Sequence, residues 1–579
     1  MSSPQTPEDM GTAPPKRRRR EPSLHPPAEV LNKHGGRVLD PSSAVRLPGQ
    51  PPIRPTVYVG SRLLVRSVRL DDEVLPALNQ AATEANLRLV FDEADARLLE
   101  LARRAGLEEL ALRVLATRVR LEPATDKPAA PPDAWKVLQN FRSIVGPTSP
   151  AANQVSLDHL LTATDPGSAG ISGVPYMGGA PYMGGAPYLG GAPYMGGGGV
   201  GGAPDGVPYM GGGSVGISSQ YGIPGHGGRA PVTWLGPAPT RVKQEDLPCR
   251  RPVVAVLDTG VGKHPWLPAS IVKRHPHVGS LPIGQTDPAT DPEVSGQLGS
   301  PLEGTLDPDA GHGTFIAGLI RQICPDADIL AIRVMYGDGA VPEGDLLEAL
   351  NRLLLRQALA HALDKPGWLV DVISLSLGYY HELPADFAFD QLLLESLRAL
   401  GELGVAVIAA AGNDATPRHF YPAGFAPHAG GQFNAVERDV LPVVSVGALN
   451  PDLRSVALFS NAGDWVCCHR QGAALVSTMP TTFDGSLQPA AAVQINGGLR
   501  STIDPDNFHG GFSTWSGTSF AAPILAAEVA RCLWESQELD TSDPATMLSR
   551  GWSALERLVD LRRPEASPLS NGRASIPAR

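Results

Sequence analysis

The 579-residue sequence has little cysteine, no excess of basic charge and no long apolar run. Its five cysteines are too few and too scattered for a disulfide framework, which favours a reducing compartment. The net charge of −11 argues against nucleic acid or an anionic membrane as the main partner. No stretch approaches the roughly 20 apolar residues that span a bilayer, and none follows the N-terminus as a secretory signal requires. We therefore expect a cytoplasmic protein without a membrane partner.

Glycine and proline are abundant, with 64 and 57 residues, so much of the chain is not packed core. Residues 1–55 lack hydrophobic periodicity and are predicted to form a disordered, proline-rich arm. Within it, the basic run Lys16-Arg17-Arg18-Arg19-Arg20 has three interpretations: a targeting signal, an anion-binding tail or a solvated disordered segment. One large enzyme domain with accessory segments fits this composition best.

Residues 56–125 show the pattern of a small α+β domain, with strands predicted at 56–67, 87–91 and 110–121 and helices at 72–86 and 95–105. Residues 126–245 are predicted to be a linker, since they contain a six-residue repeat that begins with Pro175-Tyr176-Met177-Gly178-Gly179-Ala180. Proline and glycine at this density favour a flexible tether, and a docking role for the Tyr-Met pairs remains open.

Residues 246–540 alternate short apolar runs with helical patterns, and residues 541–579 are predicted to be a C-terminal tail. Strands buried on both faces and joined by helices predict an α/β fold with a mainly parallel sheet and helices on both faces. The predicted strands are 252–257, 328–334, 371–377, 405–410 and 443–446, and the predicted helices are 313–323, 344–362 and 388–404. Reactive groups of such sheets collect at the carboxyl ends of the strands.

Three short segments supply a carboxylate, an imidazole and a hydroxyl in that order. Asp258 ends the apolar run that begins at Val253, His312 stands between two glycines before a predicted helix, and Ser519 opens a helix of small apolar residues. These are the groups that turn a serine into a nucleophile at neutral pH. A serine at the first turn of a buried helix also lies near the positive end of the helix dipole.

These segments together resemble those of subtilisin-type serine proteases, the subtilases, over about residues 250 to 535. The resemblance implies a catalytic triad of Asp258, His312 and Ser519. It implies further that the Asn413 amide and the Ser519 backbone N–H form the oxyanion hole. By the same resemblance, an extended peptide substrate pairs with the following residues: Ser376, Leu377, Gly378, Ala410, Ala411 and Gly412.

The chain departs from the family pattern in several places. Three loops, 278–307, 425–441 and 481–512, lengthen the separations between the motifs and are expected to ring the cleft. Phe420 replaces a smaller residue at the floor of the specificity pocket, which would favour a small or medium side chain before the scissile bond. The vicinal pair Cys467-Cys468 invites a metal or redox site, but a buried strand is favoured. No cofactor is required for the chemistry and no metal ligand is assigned, although structural calcium is possible.

The small N-terminal domain has two interpretations. Subtilases are often made with an α+β propeptide that blocks the cleft, so residues 56–125 could inhibit the enzyme intramolecularly. The long segment between this domain and the protease favours instead a recognition or regulatory module. The main functional hypothesis is an endopeptidase that processes protein or peptide substrates selectively, and the alternative is a catalytically silent peptide-binding scaffold.

Overall fold

The computed structural model describes residues 24, 26–48, 50, 52–66, 74–92, 94–124, 131–147, 149–163, 229–383, 391–428 and 436–561. The basic run at 16–20 and the six-residue repeat that begins at 175 lie outside the described residues. Predictions for those two segments therefore stay predictions.

The N-terminal domain alternates strands and helices from residue 28 to residue 163. In chain order its elements are α1 (Ala28–His34), β1 (Gly36–Leu39), β2 (Thr56–Arg66), α2 (Val74–Glu84), β3 (Leu87–Phe91), α3 (Ala94–Arg104), α4 (Glu108–Val114), β4 (Ala116–Pro123), α5 (Ala134–Val145) and β5 (Val155–Ala163). The long strand β2 is antiparallel to β1, β4 and β5, and β3 is antiparallel to β4.

The second domain begins with the short strand β6. Its strands are β6 (Ala230–Pro231), β7 (Val253–Asp258), β8 (Val272–Arg274), β9 (His277–Val278), β10 (Leu281–Pro282), β11 (Asp328–Arg333), β12 (Ala340–Pro342), β13 (Val372–Leu375), β14 (Leu377–Gly378), β15 (Ala406–Ala410), β16 (Val443–Leu449), β17 (Cys468–Gln471), β18 (Leu475–Thr478), β19 (Ala492–Ile495), β20 (Gly498–Ser501) and β21 (Phe512–Trp515). Its helices are α6 (His312–Ile323), α7 (Glu343–Ala362), α8 (Gln391–Glu402), α9 (Thr518–Ser536) and α10 (Pro544–Leu558).

A parallel sheet of seven strands, in the order β17-β16-β15-β13-β7-β11-β8, forms the centre of the second domain. Alternate side chains of its strands enter different clusters. Ala255 and Leu257 pack with α7 and α8, whereas Val254 and Val256 pack with α6 and α9. Helices thus cover both faces, and the predicted α/β fold class is confirmed.

The two domains share one antiparallel sheet. Strand β5 pairs with β2 of its own domain and, further along, with β12 and β14 of the second domain, which lie on opposite sides of β5 because both pair with Thr162. The face of the N-terminal sheet that carries Leu63 and Val65 packs under α2 and α5, and Leu64 points into the core that contains α7. The sheet of the N-terminal domain is therefore continuous with the edge of the second domain.

Several described elements differ from the predicted boundaries. Helix α1 and strand β1 lie in the arm predicted to be disordered, and α4 occupies the start of the predicted strand at 110–121. Helix α5 and strand β5 lie in the predicted linker, and α10 lies in the predicted tail. Burial stabilises two of these helices: Trp135 and Phe141 of α5 are buried under the N-terminal sheet, and Trp552 of α10 is buried, with its indole N–H donating to the Arg438 carbonyl at 3.1 Å.

Within the described residues, none of the helices is long and apolar enough to cross a membrane.

Candidate active site

Asp258 and His312 meet at the carboxyl end of the central sheet. Asp258 is the last residue of β7, and His312 is the first residue of α6. The Nδ1 atom of His312 lies 2.8 Å from Oδ1 of Asp258, and both side chains are buried. A Cβ atom at Gly313 would lie 2.1 Å from the carbonyl oxygen of Gly260, so only glycine allows β7 and α6 to approach this closely.

Ser519 stands in the first turn of α9, where backbone N–H groups point out of the N-terminal end of the helix. Its hydroxyl lies 3.4 Å from the carbonyl oxygen of Ser376, and the Ser376 hydroxyl donates to the carbonyl of Ser519 at 2.8 Å. Helix α9 packs directly against β13, β15 and α6. The fold thus brings Ser519 to the same end of the sheet as Asp258 and His312.

Asn413 follows β15 and is anchored to the start of α9. Its Oδ1 atom accepts hydrogen bonds from the backbone N–H and the hydroxyl of Thr518, both at 3.0 Å. This pairing fixes the orientation of the amide. The Asn413 Nδ2 atom is buried and has no hydrogen-bond partner among the described residues. A buried donor left without a partner beside Ser519 is what an oxyanion hole provides.

The predicted substrate-binding edge is already paired with a strand of this chain. In β14, Leu377 pairs with Ala163 and Gly378 with Thr162, both of β5. On its other side β5 pairs with β12, and the Ala163 N–H donates to the carbonyl of Gly339 at 2.8 Å. β5 therefore lies extended between the two edges, where a bound peptide would be expected to lie.

Phe420 lies between the two segments predicted to form the specificity pocket. A Cβ atom at Gly378 would lie 2.5 Å from the Phe420 ring, and one at Gly412 would lie 3.2 Å from it. The ring is buried and belongs to the same core cluster as Ala411. Ala410, in contrast, packs in the cluster that contains α6 and α9. Of the predicted substrate-binding residues, Gly378 and Gly412 thus lie against the Phe420 ring.

Comparison with known proteins identifies the family. The model of the subtilase family matches residues 250–549, just over half of the chain, and this match includes Asp258, His312, Asn413 and Ser519. This chain is a subtilase. Its family is one of serine peptidases, as the sequence motifs predicted.

Two characterised relatives share the subtilase domain. The human membrane-bound transcription factor site-1 protease is 26% identical over 302 residues, which are 51% of this chain and 22% of that protein. The serine protease AprX of Bacillus subtilis (strain 168) is 25% identical over 311 residues, which are 52% of this chain and 60% of AprX. This subtilase therefore covers less than two thirds of the length of either relative.

Solved structures of subtilisin-like enzymes also overlap with this subtilase. A cold-adapted subtilisin-like serine proteinase matches at 20% identity with a TM-score of 0.31, over 52% of this chain and 82% of that chain. Fervidolysin from Fervidobacterium pennivorans, a keratinolytic enzyme related to subtilisin, matches at 17% identity with a TM-score of 0.41, over 86% of this chain and 56% of its own.

Two buried carboxylates beside the predicted triad were missed by sequence reasoning. Glu293 contacts the residues that flank Asp258 and His312, and Asp309 lies against Gly339, where a Cβ atom would be 2.1 Å from Oδ2 of Asp309. Burial raises the pKa of each carboxyl to about 7. Both residues come from the loop before α6, and nothing in the local pattern distinguishes them from surface acids.

A third buried polar cluster joins β5 to the second domain. The His159 ring of β5 has Nδ1 2.8 Å from Oε2 of Glu343 and Nε2 2.9 Å from Oε2 of Glu382. Burial lowers the pKa of His159, but the two carboxylates more than reverse this effect and hold the pKa well above its ordinary value. A protonated His159 thus bridges two carboxylates across the domain boundary.

Two groups of described residues have ligand atoms close enough together for a metal ion, all within 4.8 Å of one another. The first is His159, His381 and Glu382, where the His381 Nδ1 atom accepts a hydrogen bond from the Leu383 N–H at 3.1 Å. That bond places the neutral ring proton on Nε2, the nitrogen that faces Glu382 and would have to bind the metal. The second group is Asp484, Asp504 and Asp506 in the 481–512 loop. Neither group is assigned a metal.

All five cysteines are free thiols. The residue Cys468 begins β17, which pairs in parallel with β16, and its backbone extends the central sheet. Burial raises the pKa of the Cys468 thiol to about 12, so the thiolate needed for metal binding is disfavoured. The segment thus forms a strand from Cys468, but its residues are half-buried, so the expectation of a buried strand was wrong in the degree of burial.

Proposed function

We propose that this subtilase is a serine endopeptidase with Ser519 as nucleophile. His312 takes the hydroxyl proton of Ser519 as it attacks the peptide carbonyl, and Asp258 holds the imidazole in one tautomer. The acyl-enzyme on Ser519 is then hydrolysed by water. The observation that carries this proposal is the Asp258–His312 hydrogen bond of 2.8 Å at the sheet end where α9 presents Ser519.

The unpaired Asn413 Nδ2 atom supports the same chemistry. Together with the Ser519 backbone N–H, it would donate to the negative oxygen that develops on the attacked carbonyl. A scaffold that only binds peptides has no need for a buried donor without a partner, because such a donor destabilises the fold by about 1–3 kcal/mol. The endopeptidase is therefore favoured over the silent scaffold.

The N-terminal domain is proposed to inhibit this activity intramolecularly. The strand that covers the substrate-binding edge is β5, and it lies beyond the range 56–125 that the sequence suggested. Residues within that range hold β5 in place. Strand β2 pairs with β5, and Arg118 of β4 forms ion pairs with Asp345 and Glu348 of α7 at 2.7 and 2.6 Å, which fix the N-terminal sheet to the second domain. A peptide substrate must displace β5 before it can pair with β14.

Selective processing of protein or peptide substrates fits the shape of the cleft best. Phe420 fills the space between Gly378 and Gly412, so we propose that the residue before the scissile bond is small or medium. The loops 278–307 and 481–512 pack on each other, for example through the Ser486 N–H and the Gly304 carbonyl at 2.8 Å. A rim built from two long loops narrows access to the cleft. The cytoplasmic location stays a prediction, which the five free thiols support.

The test is cleavage of a peptide library by the full chain, with Ser519→Ala as the matched control. We expect cleavage after small or medium residues and none with the control variant. Cleavage mainly after Phe, Tyr or Leu would contradict the assignment of Phe420. A folded protein that binds peptides but cleaves none of them would favour the scaffold.

A further inference from the structure

Glu293 lies directly behind the proposed catalytic pair, although it belongs to a loop that was expected only to ring the cleft. The loop leaves the sheet after β10 and returns at Gly311, immediately before α6. Within it, the Asp291 carboxylate accepts a hydrogen bond from the Glu293 N–H at 3.0 Å and fixes the local turn. The Glu293 side chain is 2% exposed.

The Glu293 carboxylate contacts both segments that carry the catalytic groups. One oxygen accepts hydrogen bonds from the Gly311 N–H at 3.1 Å and from the Thr259 hydroxyl, and the other accepts from the Thr314 hydroxyl. Thr259 follows Asp258 in the chain, and Gly311 and Thr314 lie on either side of His312. A single side chain thus ties the end of β7 to the start of α6.

The donor and the acceptor in each of these hydrogen bonds are indicated by the other contacts of the two threonine hydroxyls. The Thr259 hydroxyl oxygen accepts from the Gly313 N–H at 2.9 Å, and the Thr314 hydroxyl oxygen accepts from the Gly262 N–H at 2.7 Å. Each hydroxyl has one proton to donate. Thr314 directs it to Glu293, and Thr259 has both Glu293 and, at 3.2 Å, Oδ1 of Asp258 as acceptors. The ionised Glu293 carboxylate thus lies among two hydroxyl donors and one backbone amide donor.

We propose that Glu293 is a positioning residue of the Asp258–His312 pair and that its negative charge favours the protonated imidazole formed during the reaction. This inference rests on the endopeptidase function proposed above. Glu293 does not touch the reacting atoms in this arrangement. It acts through Thr259, Gly311 and Thr314, which set the separation and the angle between the carboxylate and the imidazole.

The charges around Glu293 are mixed. Asp258 and Asp291 oppose its ionisation, whereas Arg274 is a nearby positive charge and the Arg333 side chain lies beside Gly260, next to the Glu293 Cγ atom. Burial raises the pKa of Glu293 to about 7, against the hydrogen bonds from the threonines, which lower it. Above about pH 7 the Glu293 carboxylate adds to the negative charges of Asp258 and Asp309 near His312.

The test compares Glu293→Gln, Glu293→Asp and the control Asp287→Asn in the full chain. Asp287 belongs to the same loop, but its exposed side chain accepts only from the Ala289 N–H at 2.9 Å within that loop. Hydrolysis of a short peptide gives kcat, KM and the acid limb of the pH profile of kcat/KM, which reports the ionisation of the catalytic base. Because β5 is present in wild type and in every variant, the kcat and KM of each variant can be compared directly with those of wild type.

For Glu293→Gln we expect kcat to fall about 10- to 100-fold with KM within about twofold of wild type. The acid limb should move to lower pH by roughly half a unit to one unit, because removal of a negative charge lowers the pKa of His312. Glu293→Asp keeps the charge but withdraws the carboxylate by one methylene. It should lower kcat and leave the acid limb in place, and Asp287→Asn should change neither.

A wild-type kcat and an unmoved acid limb in Glu293→Gln would overturn the inference. So would an equal effect of Asp287→Asn, which would mean that only the loop matters. If Glu293→Gln does not fold, an unchanged kcat in Glu293→Asp overturns it. A wild-type protein that neither hydrolyses peptides nor reacts at Ser519 would instead refute the proposed function.

Discussion

At the scale of single residues, the site depends on small residues that let backbone segments approach one another. A Cβ atom at Gly313, Gly378 or Gly412 would lie 2.1, 2.4 or 2.3 Å from a neighbouring atom. Real Cβ atoms do not approach that closely, so these positions allow only glycine. The segments that carry the polar groups of the site are therefore brought together by close packing at these glycines.

Asn413→Ala tests the proposed oxyanion donor. In subtilisin, loss of the corresponding donor costs about 10²–10³ in kcat, and we expect a loss of the same order here with KM nearly unchanged. Steady-state hydrolysis of a peptide substrate measures both constants. The control is Asn450→Ala, which lies in the turn after β16, where its side-chain amide donates to the Ser455 hydroxyl and the Val456 carbonyl. A kcat for Asn413→Ala within twofold of wild type would exclude the donor role.

At the scale of secondary-structure elements, the sequence predicts what local patterns encode. Strands such as β7 and β15 are apolar runs bounded by turn residues, and the groups predicted for the triad stand at the ends of such elements. Strand β5 was missed because Asp158 and His159 interrupt its apolar pattern. Arg62, Glu343 and Glu382 balance those charges from distant parts of the chain.

The two acids beside the triad escaped prediction for the same reason. In the sequence, Glu293 and Asp309 have the pattern of exposed loop residues. Only the folded chain brings Glu293 against Thr259 and Thr314, and Asp309 against Gly339. The helix α10 was assigned to a tail, although its buried Trp552 donates to the carbonyl of Arg438, which is distant in sequence. Long-range packing, not propensity, decided each of these cases.

The pairing of β5 with the cleft should weaken at alkaline pH. The two carboxylates raise the pKa of His159 in the folded chain, so its stabilising effect is fully present below the ordinary pKa of about 6.5 and is lost as the pH rises through the raised pKa. We expect the rate at which a fluorophosphonate probe labels Ser519 to increase at alkaline pH in wild type. His159→Gln should label faster than wild type at pH 7 and show less of this alkaline increase.

The pH dependence of labelling also depends on the charges of the ionisable groups that surround His159. Besides Glu343 and Glu382 they include His381, whose pKa burial lowers to about 4, so this ring is neutral throughout the range tested. The buried Arg142 is a further positive charge near Glu382. The labelling rate of each protein is divided by that of Leu161→Asp, a variant in which β5 should leave the cleft. This division removes the contribution of His312 ionisation. Equal pH dependence in wild type and His159→Gln would contradict the assignment of His159.

At the scale of the whole molecule, the N-terminal domain is an integral part of the fold. Its sheet continues through β5 into the edges of the cleft, and ion pairs fasten its outer elements to the second domain. Arg113 of α4 binds Glu402 at 2.6 Å and Glu395 at 3.0 Å, both on α8. Covalent linkage keeps β5 at a high effective concentration next to β14, so a separate peptide competes at a disadvantage.

The most direct test of the account is the rate at which a fluorophosphonate probe labels the full chain and its Leu161→Asp variant. Leu161 is fully buried in β5 opposite Val341, so a charge there should expel β5 from the cleft. Val38→Asp, at an exposed position of β1, is the matched control for the added charge. Ser519→Ala gives the background. We predict that Leu161→Asp labels at least about tenfold faster than wild type, which corresponds to about 1.4 kcal/mol. We also predict that Val38→Asp labels at the wild-type rate and that Ser519→Ala does not label. Equal rates for Leu161→Asp and wild type, or labelling that persists in Ser519→Ala, would contradict a Ser519 peptidase covered by its own N-terminal strand.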